Sequence, residues 1–345
     1  MSYFIDSHCH FFNVDSVPLY AILSRIEISP LQGAGAGLAA GFLEDWLLNK
    51  YRSFITYFEK DVESNIISVF NELQASPGLP GMGQRVKIFT PLLMDFECAE
   101  DAGHKKICKQ VWHIKSEISA VASSLKDRNI KIFPFLGFDL RRLANTSPDE
   151  IDSWFSKHLK EIDAEIKPLK QRQQVAKLEN GSFIGVKLYP SLGCQVFPES
   201  DQGSVEVQQA FFRYLIEKSI PITVHCQKGA FKLGHKKNKE LINYAHPDHW
   251  ERVLETDGLN DLIINFAHFG GEDELNRSLD VDILSPAAEG PDIPKAYVES
   301  ERTWTKSILK LLKKYPNTYA DISAFDYEGV PLATLKLGWL LVMYE

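Results

Sequence analysis

Seven β-rich runs alternating with amphipathic stretches, three of them ending in histidine, predict an α/β fold. The expected architecture is a (β/α)8 TIM-like barrel, incomplete at its C-terminus, with a helical insertion after strand 1. Strand and helix in repeated alternation imply a parallel sheet with helical crossovers. His8 and His10 end the first run, His225 the fifth and His268 the sixth. A doubly wound open sheet would place a ligand at one switch point, whereas candidates on three separated strands converge only if the sheet curls round.

The expected strands are Tyr3–Ser7, Val86–Met94, Ile130–Gly137, Ser182–Tyr189, Pro221–Cys226, Leu262–Ala267 and Asn317–Ser323. Each is rich in β-branched or aromatic residues and bounded by glycine, proline or charge. Helical segments are expected at Lys105–Lys126, Gln208–Lys218 and Thr303–Lys314, and Ser147-Pro148-Asp149-Glu150 carries a helix start with serine as N-cap and glutamate at N3. The first connection, from about Phe11 to Arg85, is too long to be a plain loop. Its aromatic and aliphatic positions from Phe42 to Phe58 recur at helical spacing, so residues 14–85 are expected to form a helical insertion. That insertion is read as a cap over the pocket, a subunit contact, or a stripe packed on the barrel. Ser76-Pro77-Gly78-Leu79-Pro80-Gly81 turns the chain back into strand two.

Residues 1–345 are expected to form a single domain, since α/β barrels reach this size. A net charge of −8 argues against a nucleic-acid partner. Five cysteines at irregular spacing do not form a disulfide framework, which suits a reducing cytosol. No leader pattern opens the chain, and the longest uncharged apolar tract, about Leu31 to Leu43, is shorter than the roughly 18 residues of a membrane span. A soluble, cytoplasmic protein acting on a small molecule is expected.

The His8-Cys9-His10 pair carries the chemistry. Alternate residues of a strand face one side, so both imidazoles can reach one cation. His225 and His268, closing Ile222-Thr223-Val224 and Ile263-Ile264-Asn265-Phe266-Ala267, extend the set. Cys9 and Cys226 alternate away from it and are read as small apolar residues. Arg141 and Arg142 are read as surface arginines, with a carboxylate grip as the alternative. The run Lys228, Lys232, His235, Lys236, Lys237 and Lys239 is read as a solvated face, with attraction of an anionic substrate as the alternative.

Ile5-Asp6-Ser7-His8-Cys9-His10, Gly185-Val186-Lys187-Leu188-Tyr189-Pro190, Pro221-Ile222-Thr223-Val224-His225-Cys226 and Ala267-His268-Phe269-Gly270-Gly271 together resemble the amidohydrolase superfamily of metal-dependent barrels. The likeness is nearest to its branch of acyl hydrolases and metal-dependent decarboxylases, and His246-Pro247-Asp248-His249-Trp250 and Tyr319-Ala320-Asp321-Ile322-Ser323 share it. The resemblance implies that His8, His10 and His225 bind a divalent metal, usually zinc, and that His268 orients or polarises the substrate. For Lys187 it implies either a carboxylated bridge between two metals or contact with an anionic substrate group. The implied activity is hydrolysis of an amide, ester or lactone. The alternatives are non-oxidative decarboxylation and a catalytically silent binding protein.

One expected part is missing. The family's eighth strand carries an aspartate, and after Asp321 and Asp326 only the helix-like stretch Leu332–Glu345 remains. Three explanations are open: a truncated chain, substitution by Asp321 or Asp326, or a partner chain completing the site. Asp321 itself is read first as a structural acid. An open barrel exposes strand edges, which favours a homo-oligomer.

Overall fold

The computed structural model describes residues 3–10, 64, 67, 68, 71, 86–95, 107–127, 129–153, 180–228, 238–278 and 303–323. Readings that fall on residues 11–63, 76–81, 229–237 and 324–345 lie outside them, including the aromatic stripe of the insertion and Asp326.

Within this set the protein is α/β with parallel sheets. Eight strand segments occur: β1 (Tyr3–Cys9), β2 (Val86–Pro91), β3 (Ile130–Ile132), β4 (Phe135–Phe138), β5 (Gly185–Leu188), β6 (Ile222–Gln227), β7 (Ile264–Gly270) and β8 (Thr318–Ala320). They form a three-stranded sheet β1-β2-β3 and a five-stranded sheet β4-β5-β6-β7-β8, and every pairing is parallel. A parallel bridge between Leu92 and Phe135 joins the two. Strand order therefore follows chain order.

The third expected strand, Ile130–Gly137, is corrected to two. Phe133 and Pro134 interrupt it, because proline has no N–H to give to a ladder. Before the break β3 pairs with β2; after it β4 pairs with β5. Gly137 lies against the segment that follows β2, and a Cβ there would stand 2.7 Å from the Met94 carbonyl carbon and 2.8 Å from the Asp95 nitrogen. Only glycine allows backbone this close.

Helices lie between the strands: α1 (Ile107–Ala120), α2 (Ala122–Asp127), α3 (Gln202–Glu217), α4 (Asn238–Asn243), α5 (Asp248–Glu255), α6 (Glu272–Ser278) and α7 (Trp304–Lys314). The helix expected at Lys105–Lys126 is thus α1 and α2, parted at Val121. Ser147 to Glu150 keeps its capping role, Glu150 accepting the Ser147 N–H at 3.1 Å, although the turn it starts is 3-10. Thr303 and Asp201 cap α7 and α3 through their side chains. Aromatic rings fill the layer between sheet and helices. Phe138 stacks on Phe211 at 5.1 Å, Phe212 meets Trp250 at 5.7 Å, and Trp250 meets Phe266 at 6.4 Å. Cys226 is buried, and Cys9 packs against the same core. No helix among the described residues is long and apolar enough to cross a membrane.

The surface reading is corrected for Arg142 and holds for Arg141, whose side chain stays partly exposed. Arg142 is buried and grips Asp95 through two bonds of 2.5 and 2.6 Å, while Arg141 grips Asp139 at 2.9 and 2.6 Å. Both guanidiniums are engaged by carboxylates of the chain itself, and the Arg142–Asp95 pair ties the segment after β4 to the one after β2.

Candidate metal centre

Register sets the height of each side chain. Lys187 on β5 stands on the rung of Thr223 and Asn265, and His225 stands two residues further along β6 beside Ala267. His268 and Asp321 come next, Asp321 giving its N–H to the Phe266 carbonyl at 3.2 Å. All lie toward the C-terminal ends of their strands. At the end of β7 the chain takes left-handed φ angles from His268 to Gly271. For His268 and Phe269 this costs free energy, on the order of 1–2 kcal/mol per non-glycine residue. Gly271 needs its lack of a Cβ, which would meet Gln227 at 2.8 Å.

β1 brings its histidines to the same place. The His8 ring lies 5.3 Å from that of His10 and 4.6 Å from that of His268. The His268 ring lies 4.9 Å from that of His225, which stacks on Tyr189 at 4.1 Å. Four imidazoles thus run in the order His10, His8, His268, His225. One ligand atom from each of His8, His268 and Asp321 lies within 4.8 Å of the others, close enough to share a cation. Of the expected ligands only His8 belongs to that trio; His10 and His225 flank it, and His268, expected on the substrate, is a member.

The electrostatics suit a cation. Burial lowers His8 and His10 below the ordinary histidine range, and burial with the charges of His8 and Lys187 takes His268 to about 3. These rings are neutral near pH 7, as a metal ligand must be. Burial pushes the Asp321 carboxyl up, but the hydrogen bonds from His8, Ser323 and Asn265 and the charge of His8 outweigh it, leaving the group far below the usual carboxylate range. His8 Nε2 is buried with no hydrogen-bond partner among the described residues. A buried lone pair without a donor is costly, and a cation would satisfy it.

Lys187 is 1% exposed, and its ammonium likewise has no hydrogen-bond partner among the described residues. Burial lowers it from 10.5 to about 7, against the opposing charge of Asp321. Asp321, read first as a structural hydrogen-bonding acid and otherwise as a substitute for the missing carboxylate, accepts hydrogen bonds from Asn265, Ser323 and the His268 backbone and contacts His8. Its partners Asn265 and Ser323 were not anticipated. The available signal was Asp-x-Ser at the end of the seventh strand-like run.

No protein-family model matches the chain, and no curated protein matches it.

Proposed function

We propose that this chain is a metal-dependent hydrolase of the amidohydrolase type, built on an incomplete (β/α)8 barrel and cleaving an amide, ester or lactone. The observation that carries the reading is the run of four neighbouring imidazoles, His10, His8, His268 and His225, with Asp321 beside His8 and His268, at the C-terminal ends of parallel strands. His8 and His268 form the core of the cation site, with His10 and His225 beside it. When bound, a divalent cation, zinc by preference, supplies a Lewis acid for a carbonyl and makes water nucleophilic near neutral pH. The chain supplies the rest. The stacked His225 and buried Tyr189 wall the site against solvent. Lys187, a buried cation lacking a hydrogen-bonded counter-charge, favours a substrate that carries an anionic group.

That same lysine supports a second reading, decarboxylation of a substrate carboxylate. Elemental analysis of protein purified without chelator, beside a His8→Ala/His10→Ala variant, tests the centre. Near-stoichiometric metal in the first and its loss in the second is the expected result, and equal, near-zero metal in both removes the proposal. Turnover on lactone, ester and amide panels then supports hydrolysis, carbon dioxide release selects decarboxylation, and metal without turnover makes the protein a binding module.

A further inference from the structure

Asp321 and Ser323 sit among the histidines in a way that fixes protons by counting. A serine hydroxyl has one proton to donate and two lone pairs to accept with. Ser323 Oγ stands 2.5 Å from Asp321 Oδ1, 3.0 Å from His8 Nδ1 and 2.9 Å from His268 Nδ1. A carboxylate accepts only, so the hydroxyl proton goes to Asp321, and both ring nitrogens facing the hydroxyl must donate. Two independent contacts agree. His8 Nδ1 also faces Asp321 Oδ2 at 3.0 Å, and His268 Nδ1 also faces the Ser323 carbonyl at 3.1 Å. His10 follows the same rule, its Nδ1–H donating to the Leu92 carbonyl at 2.8 Å.

The carboxylate is itself fully engaged. Oδ1 accepts from Ser323 Oγ and from the backbone N–H groups of His268 at 3.1 Å and Ser323 at 3.2 Å. Oδ2 accepts from Asn265 Nδ2 at 2.8 Å and from His8. A carboxylate offers about four lone-pair sites, and five donors already converge on this one. Closeness puts Asp321 within a cation's reach, but its lone pairs are taken.

We infer that Ser323 and Asp321 are positioning residues that hold His8 and His268 as Nδ1–H tautomers, so that both present Nε2 to one cation and Asp321 stays outside the coordination sphere. Outer partners of this kind orient metal-binding imidazoles and typically change affinity by about 10- to 100-fold. The inference rests on the proposed metal centre for its purpose, but not for its first test.

That test uses the metal-free protein. Two-bond 1H–15N correlation spectra of 15N-histidine-labelled chain, with His8→Gln and His268→Gln variants for assignment, report which ring nitrogen carries the proton. Nδ1–H at both rings is expected, and Nε2–H at either overturns the inference without any variant having to bind metal. Competition with a chromophoric chelator then gives zinc affinity. Ser323→Ala, checked for folding by near-UV circular dichroism, should weaken it about 10- to 100-fold, and Ser323→Thr, which keeps the hydroxyl, should restore it. Affinity unchanged in Ser323→Ala, or a carboxylate oxygen in the inner sphere by zinc X-ray absorption, overturns the assignment. A wild-type chain that takes no zinc removes the metal centre, while the tautomers still decide the clamp.

Discussion

Replacing Lys187 with methionine should stabilise the metal-free protein near neutral pH. The lysine is 1% exposed and its pKa falls from 10.5 to about 7, so folding takes an ammonium out of water without a hydrogen-bonded counter-charge. Between those two values the unfolded chain binds more protons than the folded one, and stability therefore rises with pH across the window. A shift of about 3.5 units corresponds to roughly 5 kcal/mol of destabilisation, fully present at about pH 6. At about pH 9 roughly 2 kcal/mol of it remains, because the folded lysine is by then neutral while the unfolded one is still charged. Urea unfolding of chelator-treated wild type should accordingly show a gain of about 3 kcal/mol between these pH values, which Lys187→Met lacks. Methionine fills a similar volume, so packing changes little. A methionine variant less stable than wild type at about pH 6, or a wild type whose stability is flat across the window, would mean that the ammonium is paired or hydrated.

Arg142→Met strips the buried Asp95 carboxylate of its two guanidinium hydrogen bonds, and denaturant unfolding should register a loss of about 3–5 kcal/mol. Gly137→Ala should lower stability by about 1–3 kcal/mol, since the new Cβ meets backbone of Met94 and Asp95 that no rotamer change can move; an unchanged melting temperature would contradict this close approach of β4 to the segment after β2. Acid should weaken the metal-free protein before most carboxylates titrate. Buried His8, His10 and His268 lie below 6.5, so the unfolded chain takes up protons that these rings refuse. Between about pH 6.5 and 5.5 each ring that stays neutral should cost about 1 kcal/mol, and a flat urea midpoint over that range would speak against their burial.

The fold was readable where periodicity and strand composition agreed. The runs ending in His225 and His268 became β6 and β7, and Thr303–Lys314 became α7 with its threonine cap. Ile130–Gly137 looked continuous because it is mostly apolar and aromatic; the partner switch at Phe133-Pro134 depends on two neighbouring strands, which a local pattern does not contain. Convergence of His8, His10, His225 and His268 was anticipated from strand endings alone. Asp321 was named as a substitute for the missing acid but not as the partner of His8, because that contact joins residues 313 positions apart and leaves no local signal. Arg142 failed for a related reason, as burial beside Asp95 is a property of the folded pair.

That separation of 313 residues between His8 and Asp321 has a consequence for how the molecule is assembled. A loop of such size resists closure entropically, so the contact endures only once the intervening units have docked. The His8–Asp321 contact therefore forms only after the units between its two residues have packed together. An ion seated there would be a clasp binding the folded form alone, strengthening it in proportion to the logarithm of its own concentration. Cutting the first ten residues would unfasten it from the opposite end.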